Sequence, residues 1–404
     1  MAFKSSAKSE RDHPPLRLAA VGLEAEFSLF VDGEPAKPEQ VFGDPRAFLR
    51  GPLTHRVGTS YQLPTGAAIY FDTGVVELAT PLIELERGCV ARAGRSLWES
   101  IEHVRRGLDA WERREGHLVR LVGFSTHYNV SIEKPRKRGA GELDALARLL
   151  THILAPPVML LALNRRSSGV GVRPRVDRIE VTADFTPSST LMVAAGSLIT
   201  GIVRDVASWP SFAISELSRR GLPVMRGFAP MPHTSRKGWL ARHDRYPANP
   251  ITEDVNAPLW RLEGRAEPAS LRAIALEIFT AFRRPIARTA DPLSLRLIHA
   301  VLAGRTPSLL DLPDRPPEYE DVGRLCGWQK FYPDALLERS RFERVVINAL
   351  AGETLRVDGM VYTPTGMQGW SRVVFTRNDG QQVTLPLEDL LDHLQTWGTG
   401  LPHR

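Results

Sequence analysis

The chain has 404 residues, 43% of them hydrophobic and 24% charged, and carries a formal net charge of +6. This composition excludes a disordered or fibrous chain, and the length suits two or three domains, or one large domain with an appendage. The charge excess is small and no nucleic-acid-binding module is visible, so nucleic acid is disfavoured as a partner. Cys89 and Cys326 have no Cys or His partner at metal-ligand spacing, and two reduced thiols suit a cytoplasmic location.

The N-terminal residues 1–16 are polar and basic, and they predict a disordered leader rather than a secretory signal. No run of about 18 apolar residues is evident, so no membrane-spanning segment is predicted.

The predicted elements alternate between strands and helices. Leu97, Ile101, Val104, Leu108 and Trp111 recur at helical spacing and form one apolar stripe of the clearest helix. In chain order, we predict strands at residues 17–32 and 69–80, a helix at 89–115, a strand at 118–133, a helix at 142–163, a strand at 175–186, and helices at 191–206 and 268–288.

The C-terminal part differs in composition from the rest. Residues 304–317 are rich in Pro and Asp and predict a boundary between a catalytic domain at residues 17–304 and a module at residues 318–404. The dipeptide Asp379-Gly380 predicts a hairpin turn. The module is expected to serve packing or oligomerisation, which leaves a homo-oligomer open. Its predicted elements are a helix at 331–350 and strands at 354–362, 371–377 and 382–385.

Four of the predicted strands share a pattern of polar side chains at alternate positions. Alternate side chains of a strand lie on the same face of its sheet. Apolar residues occupy the intervening positions and would form the opposite, buried face. The polar positions are Glu24, Glu26, Glu77, Ser125, His127, Asn129, Arg178 and Glu180.

A polar sheet face is ordinarily a solvated one, and for a single strand that interpretation is preferred. Here, however, the four glutamates have hardly any lysine nearby, and they would repel one another unless a cation lay between them. Mg²⁺ and Mn²⁺ both prefer such oxygen ligands. His127 could add a nitrogen ligand or contact phosphate, and Arg178 could bind phosphate through its planar guanidinium. The set therefore predicts a site for metal and nucleotide.

At these residues the chain resembles the superfamily of carboxylate–amine ligases that contains glutamine synthetase and glutamate–cysteine ligase. Residues 22–27 are similar to its Gly-x-Glu-x-Glu-Phe motif, and residues 72–80 to its second acidic strand. Residues 125–129 are similar to its Gly-Thr-His-x-His strand, with Asn129 in place of the second His. Residues 178–180 are similar to its Arg-x-Glu strand, and the motifs follow one another in the family's order.

The resemblance implies an α+β fold in which a large antiparallel sheet, packed with helices, forms a funnel-shaped active site. It implies ATP and Mg²⁺ or Mn²⁺, and amide formation through an acyl phosphate. Glu77 and Arg178 would take part in catalysis, with Arg178 at the transferred phosphoryl group. The implied metal ligands are Glu24, Glu26, Glu77, His127 and Glu180, and the implied nucleotide contacts are Ser125, His127, Asn129 and Arg178.

The substrates stay open at this stage. The acid, which could be glutamate-like, and the amine could be small molecules, or one of them could belong to a peptide or protein. The basic segments at residues 235–239 and 242–245 are interpreted as solvated loops more than as a substrate lid, and Asp72 as a turn former. A metal-dependent amide hydrolase and a non-catalytic nucleotide-binding relative stay as alternatives. No P-loop and no His-Glu-x-x-His motif is present.

Overall fold

A large antiparallel sheet organises the chain, which the computed structural model describes at residues 19–56, 58–132, 140–233, 237–327, 338–395 and 397. The predicted leader lies outside these residues. The order across the sheet is β11-β12-β9-β10-β8-β1-β6-β5-β4-β3, and β2 and β7 also pair with β1. Its strands are β1 (Ala20–Val31), β2 (Glu34–Ala36), β3 (Thr54–His55), β4 (Tyr61–Gln62), β5 (Ala68–Asp72), β6 (Val75–Ala79), β7 (Ile83–Glu84), β8 (Val119–Ser131), β9 (Gly169–Pro174), β10 (Arg178–Asp184), β11 (Met231–Pro232) and β12 (Trp239–Arg242).

Helices cover the apolar face of this sheet. The helix α2 (Cys89–Glu115) carries the predicted apolar stripe, which is buried at Leu97, Ile101, Val104 and Leu108, and it packs against β1. It ends at Glu115 because Gly116 adopts a left-handed conformation, with φ of 78°, that caps the helix. The helices are α1 (Pro38–Val41), α2 (Cys89–Glu115), α3 (Ala140–Ala162), α4 (Ser189–Val206), α5 (Ser215–Arg219), α6 (Leu271–Ala281), α7 (Arg283–Thr289), α8 (Pro292–Leu302), α9 (Arg341–Leu350) and α10 (Leu387–Leu390).

Two of these helices correct the expectation that no segment has membrane-spanning length and composition. Gly141–Ala162 and Ser189–Val206 are long and apolar enough by that criterion. In the fold, however, 83% and 72% of these two segments are buried inside the protein. They are apolar on nearly all sides because α3 and α4 pack against each other and against neighbouring elements.

The prediction of one strand over residues 69–80 was wrong, because the segment folds back as the hairpin of β5 and β6. Asp72 pairs with Val75, so Thr73 and Gly74 form a two-residue turn. Both have positive φ, 50° and 97°, as the tightest hairpin turns require. The fold places Asp72 at the end of β5, directly before this turn.

The predicted helix over residues 268–288 is likewise divided, into α6 and α7. Pro285 lies four residues after Ala281, where α6 ends. A proline has no N–H to donate to the carbonyl four residues earlier, and its ring clashes with that carbonyl in a continuous helix. The interruption follows from this single residue.

The C-terminal β-module is confirmed as a separate sheet of four antiparallel strands. These are β13 (Leu355–Val357), β14 (Met360–Gln368), β15 (Arg372–Arg377) and β16 (Gln382–Pro386), in that order. The predicted strand at residues 354–362 is in fact a second hairpin with Asp358 and Gly359 at its turn, both with positive φ. The predicted turn at Asp379-Gly380 joins β15 to β16. The predicted helix at residues 331–350 corresponds in part to α9, which begins at Arg341 after the Ser340 cap. Residues 328–337 lie outside the described part of the chain.

Two hydrophobic cores occur in the described part of the chain. The larger lies under the twelve-stranded sheet and includes Leu309, Leu310 and Tyr319, so the segment at residues 304–317 packs against it. The smaller core lies in the C-terminal module and contains Phe342, Phe375 and Trp397, with other apolar residues of α9 and α10. The division of the chain into domains stays a prediction.

A buried ion pair joins the C-terminal module to α2. Glu343, fully buried on α9, accepts hydrogen bonds of 2.6 and 2.5 Å from the Arg95 guanidinium. We expect Glu343→Ala to lower the free energy of unfolding by about 3 kcal/mol, because Arg95 would keep a buried charge whose remaining partner, Glu99, is partly exposed. Urea unfolding measures this. The control is Asp379→Ala, which removes the exposed pair with Arg377 and should lower the stability much less. Equal losses in the two variants would contradict the prediction.

Candidate active site

Three central strands of the sheet bring three of the four predicted glutamates together with His127 and Ser125. Glu24 on β1 lies opposite His127 on β8, and Glu26 on β1 lies opposite Ser125 on β8 and Glu77 on β6. The alternation of side chains along each strand directs these residues to one face. The intervening residues, such as the fully buried Ala25 and Phe27, belong to the main core on the other face.

Direct contacts connect these side chains. His127 Nδ1 is 3.0 Å from Glu24 Oε2, and His127 Nε2 is 3.7 Å from Glu26 Oε1. The Ser125 hydroxyl donates a 2.5 Å hydrogen bond to Glu26 Oε2. Glu77 accepts a 2.5 Å hydrogen bond from the Tyr70 hydroxyl on β5. Contacts on the predicted polar face thus connect Glu24, His127, Glu26 and Ser125 into one group, beside which Tyr70 holds Glu77.

The charges of this group shift its pKa values apart. Burial raises the pKa of Glu77 to about 8, together with the negative charge of Glu24. Burial acts in the same direction on Glu24, but the hydrogen bond and charge of His127, with the charges of Arg178 and Arg175, lower its pKa to about 2. Burial opposes protonation of His127, yet Glu24 raises the His127 pKa to about 8. Two carboxylates on one buried face therefore do not both ionise readily at neutral pH.

A divalent cation fits this arrangement. Ligand atoms of Glu24, Glu77 and His127 all lie within 4.8 Å of one another. Two carboxylates and an imidazole are a donor set that Mg²⁺ or Mn²⁺ accepts. A cation would also remove the repulsion that raises the pKa of Glu77.

Glu180 lies on the same face but outside this three-residue cluster. It is 1% exposed and forms ion pairs with Arg173 and Arg175, the latter at 2.7 Å. Glu26 also lies outside the cluster, bonded to Ser125. The structure thus groups Glu24, Glu77 and His127 but not Glu26 and Glu180, and the metal-ligand roles of all five residues stay predictions.

The predicted nucleotide contacts lie next to the cluster. Arg178 Nε donates a 2.9 Å hydrogen bond to Asn129 Oδ1, and its guanidinium is 3.3 Å from Asp177. Asn129, at the position where the resemblance expects a second His, therefore holds the arginine. Arg173 on β9, Arg178 on β10 and Arg175 in the turn between these strands place three cations beside the carboxylates. The predicted basic segment at residues 235–239 lies partly outside the described residues.

Sequence reasoning missed Tyr70 and Arg56. Tyr70 pairs with Glu77 across the β5–β6 hairpin, so recognising that hairpin from its turn would have identified it. Arg56 follows β3, and no sequence motif identifies it. Burial lowers the pKa of Arg56, while the charges of Tyr70 and Glu24 act in the opposite direction.

Comparisons with known proteins show similarity at the level of the fold. No family model matches this chain, and no curated protein sequence matches it. Among solved structures, the complex of the prokaryotic ubiquitin-like protein Pup with its ligase PafA contains a similar chain, with a TM-score of 0.53 and 12% sequence identity. The match covers 95% of this chain and 93% of the other. The α+β fold with a large antiparallel sheet and helices is confirmed by this similarity.

Proposed function

We propose that this chain is an ATP- and divalent-metal-dependent ligase that joins a carboxylate to an amine. The observation that carries the proposal is the cluster of Glu24, Glu77 and His127 on the central strands, with Arg178 beside it. The fold shared with a Pup ligase supports the same reaction class. Because that ligase acts on a protein, we propose a peptide or protein as one substrate, and a glutamate-like carboxylate as the group activated.

The reaction requires activation because amide formation from a free carboxylate is unfavourable in water. The substrate carboxylate attacks the γ-phosphorus of ATP, the bond to the bridging oxygen breaks, and ADP leaves. The amine then adds to the acyl phosphate carbonyl, loses a proton and expels phosphate. Such phosphoryl transfer depends mainly on positioning and charge neutralisation.

The residues of the site suit these two requirements. A divalent cation, when bound by Glu24, Glu77 and His127, would neutralise negative charge on the phosphate oxygens. Arg178, oriented by Asn129, presents a planar guanidinium to a phosphoryl group. Glu180 orients Arg173 and Arg175, which add positive charge to the same face.

The test is calorimetric titration with ATP, with and without Mg²⁺, on the wild type and two variants. We expect ATP binding that requires Mg²⁺ in the wild type and is weakened at least about tenfold in Glu24→Gln, since a charged metal ligand is lost. Glu84→Gln is the matched control, because Glu84 is also a buried carboxylate of this sheet but pairs with Arg341. It should bind ATP as the wild type does.

Two outcomes would overturn the proposal. One is the absence of ATP binding when Mg²⁺ is present. The other is ATP binding without ADP release in the presence of any carboxylate and amine pair, including peptides that end in glutamate. Release of an amine from an amide without ATP would instead favour the hydrolase alternative.

A further inference from the structure

A tryptophan of the C-terminal module contacts an arginine that follows β3 of the large sheet. Trp370 lies in the turn between β14 and β15. The guanidinium carbon of Arg56 lies 4.0 Å from the centre of the Trp370 indole ring. Arg56 follows β3 directly, and its backbone N–H donates a 2.9 Å hydrogen bond to the Ser60 carbonyl. A cation at this distance over an indole ring is held by a favourable electrostatic contact.

Arg56 lacks an anionic partner among the described residues. It is half-buried, and no described carboxylate lies within 4.0 Å of its guanidinium. By contrast, Arg220 stacks on Trp209 at 3.9 Å and also reaches Glu216 at 3.7 Å. Half-burying a guanidinium without a partner anion is unfavourable unless a ligand supplies one.

The position of Arg56 in the sheet indicates which anionic ligand it would bind. β3 pairs with β4, β4 pairs with β5, and β5 carries the Tyr70 that bonds Glu77 of the acidic cluster. A metal ion at the cluster would share its ligands with phosphate oxygens. A guanidinium that follows β3, two strands from the Tyr70 that bonds Glu77, is suited to those oxygens because its planar donors match phosphate geometry.

We propose that Arg56 binds phosphate oxygens of the nucleotide at this site, and that Trp370 is a positioning residue that holds the Arg56 guanidinium in place. The C-terminal module would then form part of the nucleotide site rather than a separate packing appendage. The inference rests on the proposed function for the identity of the nucleotide, although the phosphate contact itself can be tested without it.

The experiment measures the binding of Mg²⁺-ATP and of Mg²⁺ with inorganic triphosphate by calorimetry. We expect Arg56→Ala to weaken both by about tenfold, the loss of one charge-assisted contact. Trp370→Ala should weaken both by a smaller factor, and Trp370→Phe should restore most of the affinity because it keeps an aromatic ring. The Arg56→Ala/Trp370→Ala double variant should bind no more weakly than Arg56→Ala. That absence of additivity separates positioning from general destabilisation.

Two controls accompany these variants. Arg220→Ala removes a comparable arginine–tryptophan stack elsewhere and should leave triphosphate binding unchanged. Mn²⁺ binding without any anion, followed by electron paramagnetic resonance, should not weaken in Arg56→Ala.

The outcomes separate this inference from the proposed function. If wild type binds Mg²⁺-ATP and Arg56→Ala binds it equally well, the inference is overturned and the function stands. If wild type binds triphosphate through Arg56 but not ATP, the inference stands and the function is overturned. Binding of neither ligand by wild type overturns both.

Discussion

Replacing Glu77 with glutamine is expected to weaken Mn²⁺ binding by at least about 100-fold, because a charged ligand of the cluster becomes a neutral amide. Its ligand atom lies within 4.8 Å of those of Glu24 and His127, and its side chain is only 3% exposed. Besides Glu24 and Glu77, no described carboxylate belongs to that three-residue group. Titration with Mn²⁺, followed by electron paramagnetic resonance, measures the loss.

In the metal-free protein, the same substitution should increase the stability of the folded state at neutral pH. Burial and the charge of Glu24 raise the pKa of Glu77 from 4.5 to about 8 in the folded state. The folded state therefore binds more protons than the unfolded state between these two pH values. The associated stability is fully present below pH 4.5 and is lost progressively as the pH rises towards 8.

Glutamine has no proton to lose, so Glu77→Gln should remove this pH dependence. In EDTA, we expect the wild type to lose on the order of 3 kcal/mol more than the variant between about pH 5 and pH 8. Urea unfolding at both pH values measures the difference, and Glu84→Gln serves as the control. Wild-type Mn²⁺ affinity in Glu77→Gln would contradict the role of Glu77 as a metal ligand. Parallel pH profiles of stability for the two proteins would contradict the raised pKa of Glu77.

The local pattern of the sequence was sufficient to predict the polar face, because the period of two along a strand does not depend on tertiary structure. Glu24, Glu26, His127 and Asn129 were therefore assigned to one face before any fold was known, and the strands β1 and β8 place them there. The prediction of α2 succeeded for a similar reason, since its apolar stripe is a local signal. What these residues bind was not derivable from that pattern alone.

Other features depended on pairing between distant segments. Tyr70 was missed because residues 69–80 were predicted as one strand, and a single strand has no cross-strand partner for Glu77. The contact of Arg56 with Trp370 joins segments far apart in sequence, and nothing in either segment indicates the other. The ion pair of Glu180 with Arg173 was not predicted either, because β9, which supplies Arg173, was not predicted as a neighbour of β10.

Replacing Glu180 with alanine is expected to lower the free energy of unfolding by about 3 kcal/mol or more, as the loss of one partner of a buried ion pair does. Glu180 is 1% exposed and is the common partner of Arg173 and Arg175. Arg173, itself 5% exposed, would keep a buried positive charge without its carboxylate. Urea unfolding in EDTA measures the loss without any contribution from metal.

This measurement distinguishes the two roles that Glu180 could have. If Glu180 holds the arginines in place, its removal makes the metal-free protein less stable. If Glu180 is a metal ligand, its removal chiefly lowers metal affinity. The control is Asp177→Ala, which removes a half-exposed partner of Arg178 and should cost less than about 1 kcal/mol. If Glu180→Ala unfolds like the wild type in EDTA but binds Mn²⁺ much more weakly, Glu180 belongs with Glu24 and Glu77 as a ligand, and its arginine pairs form only while the metal is absent.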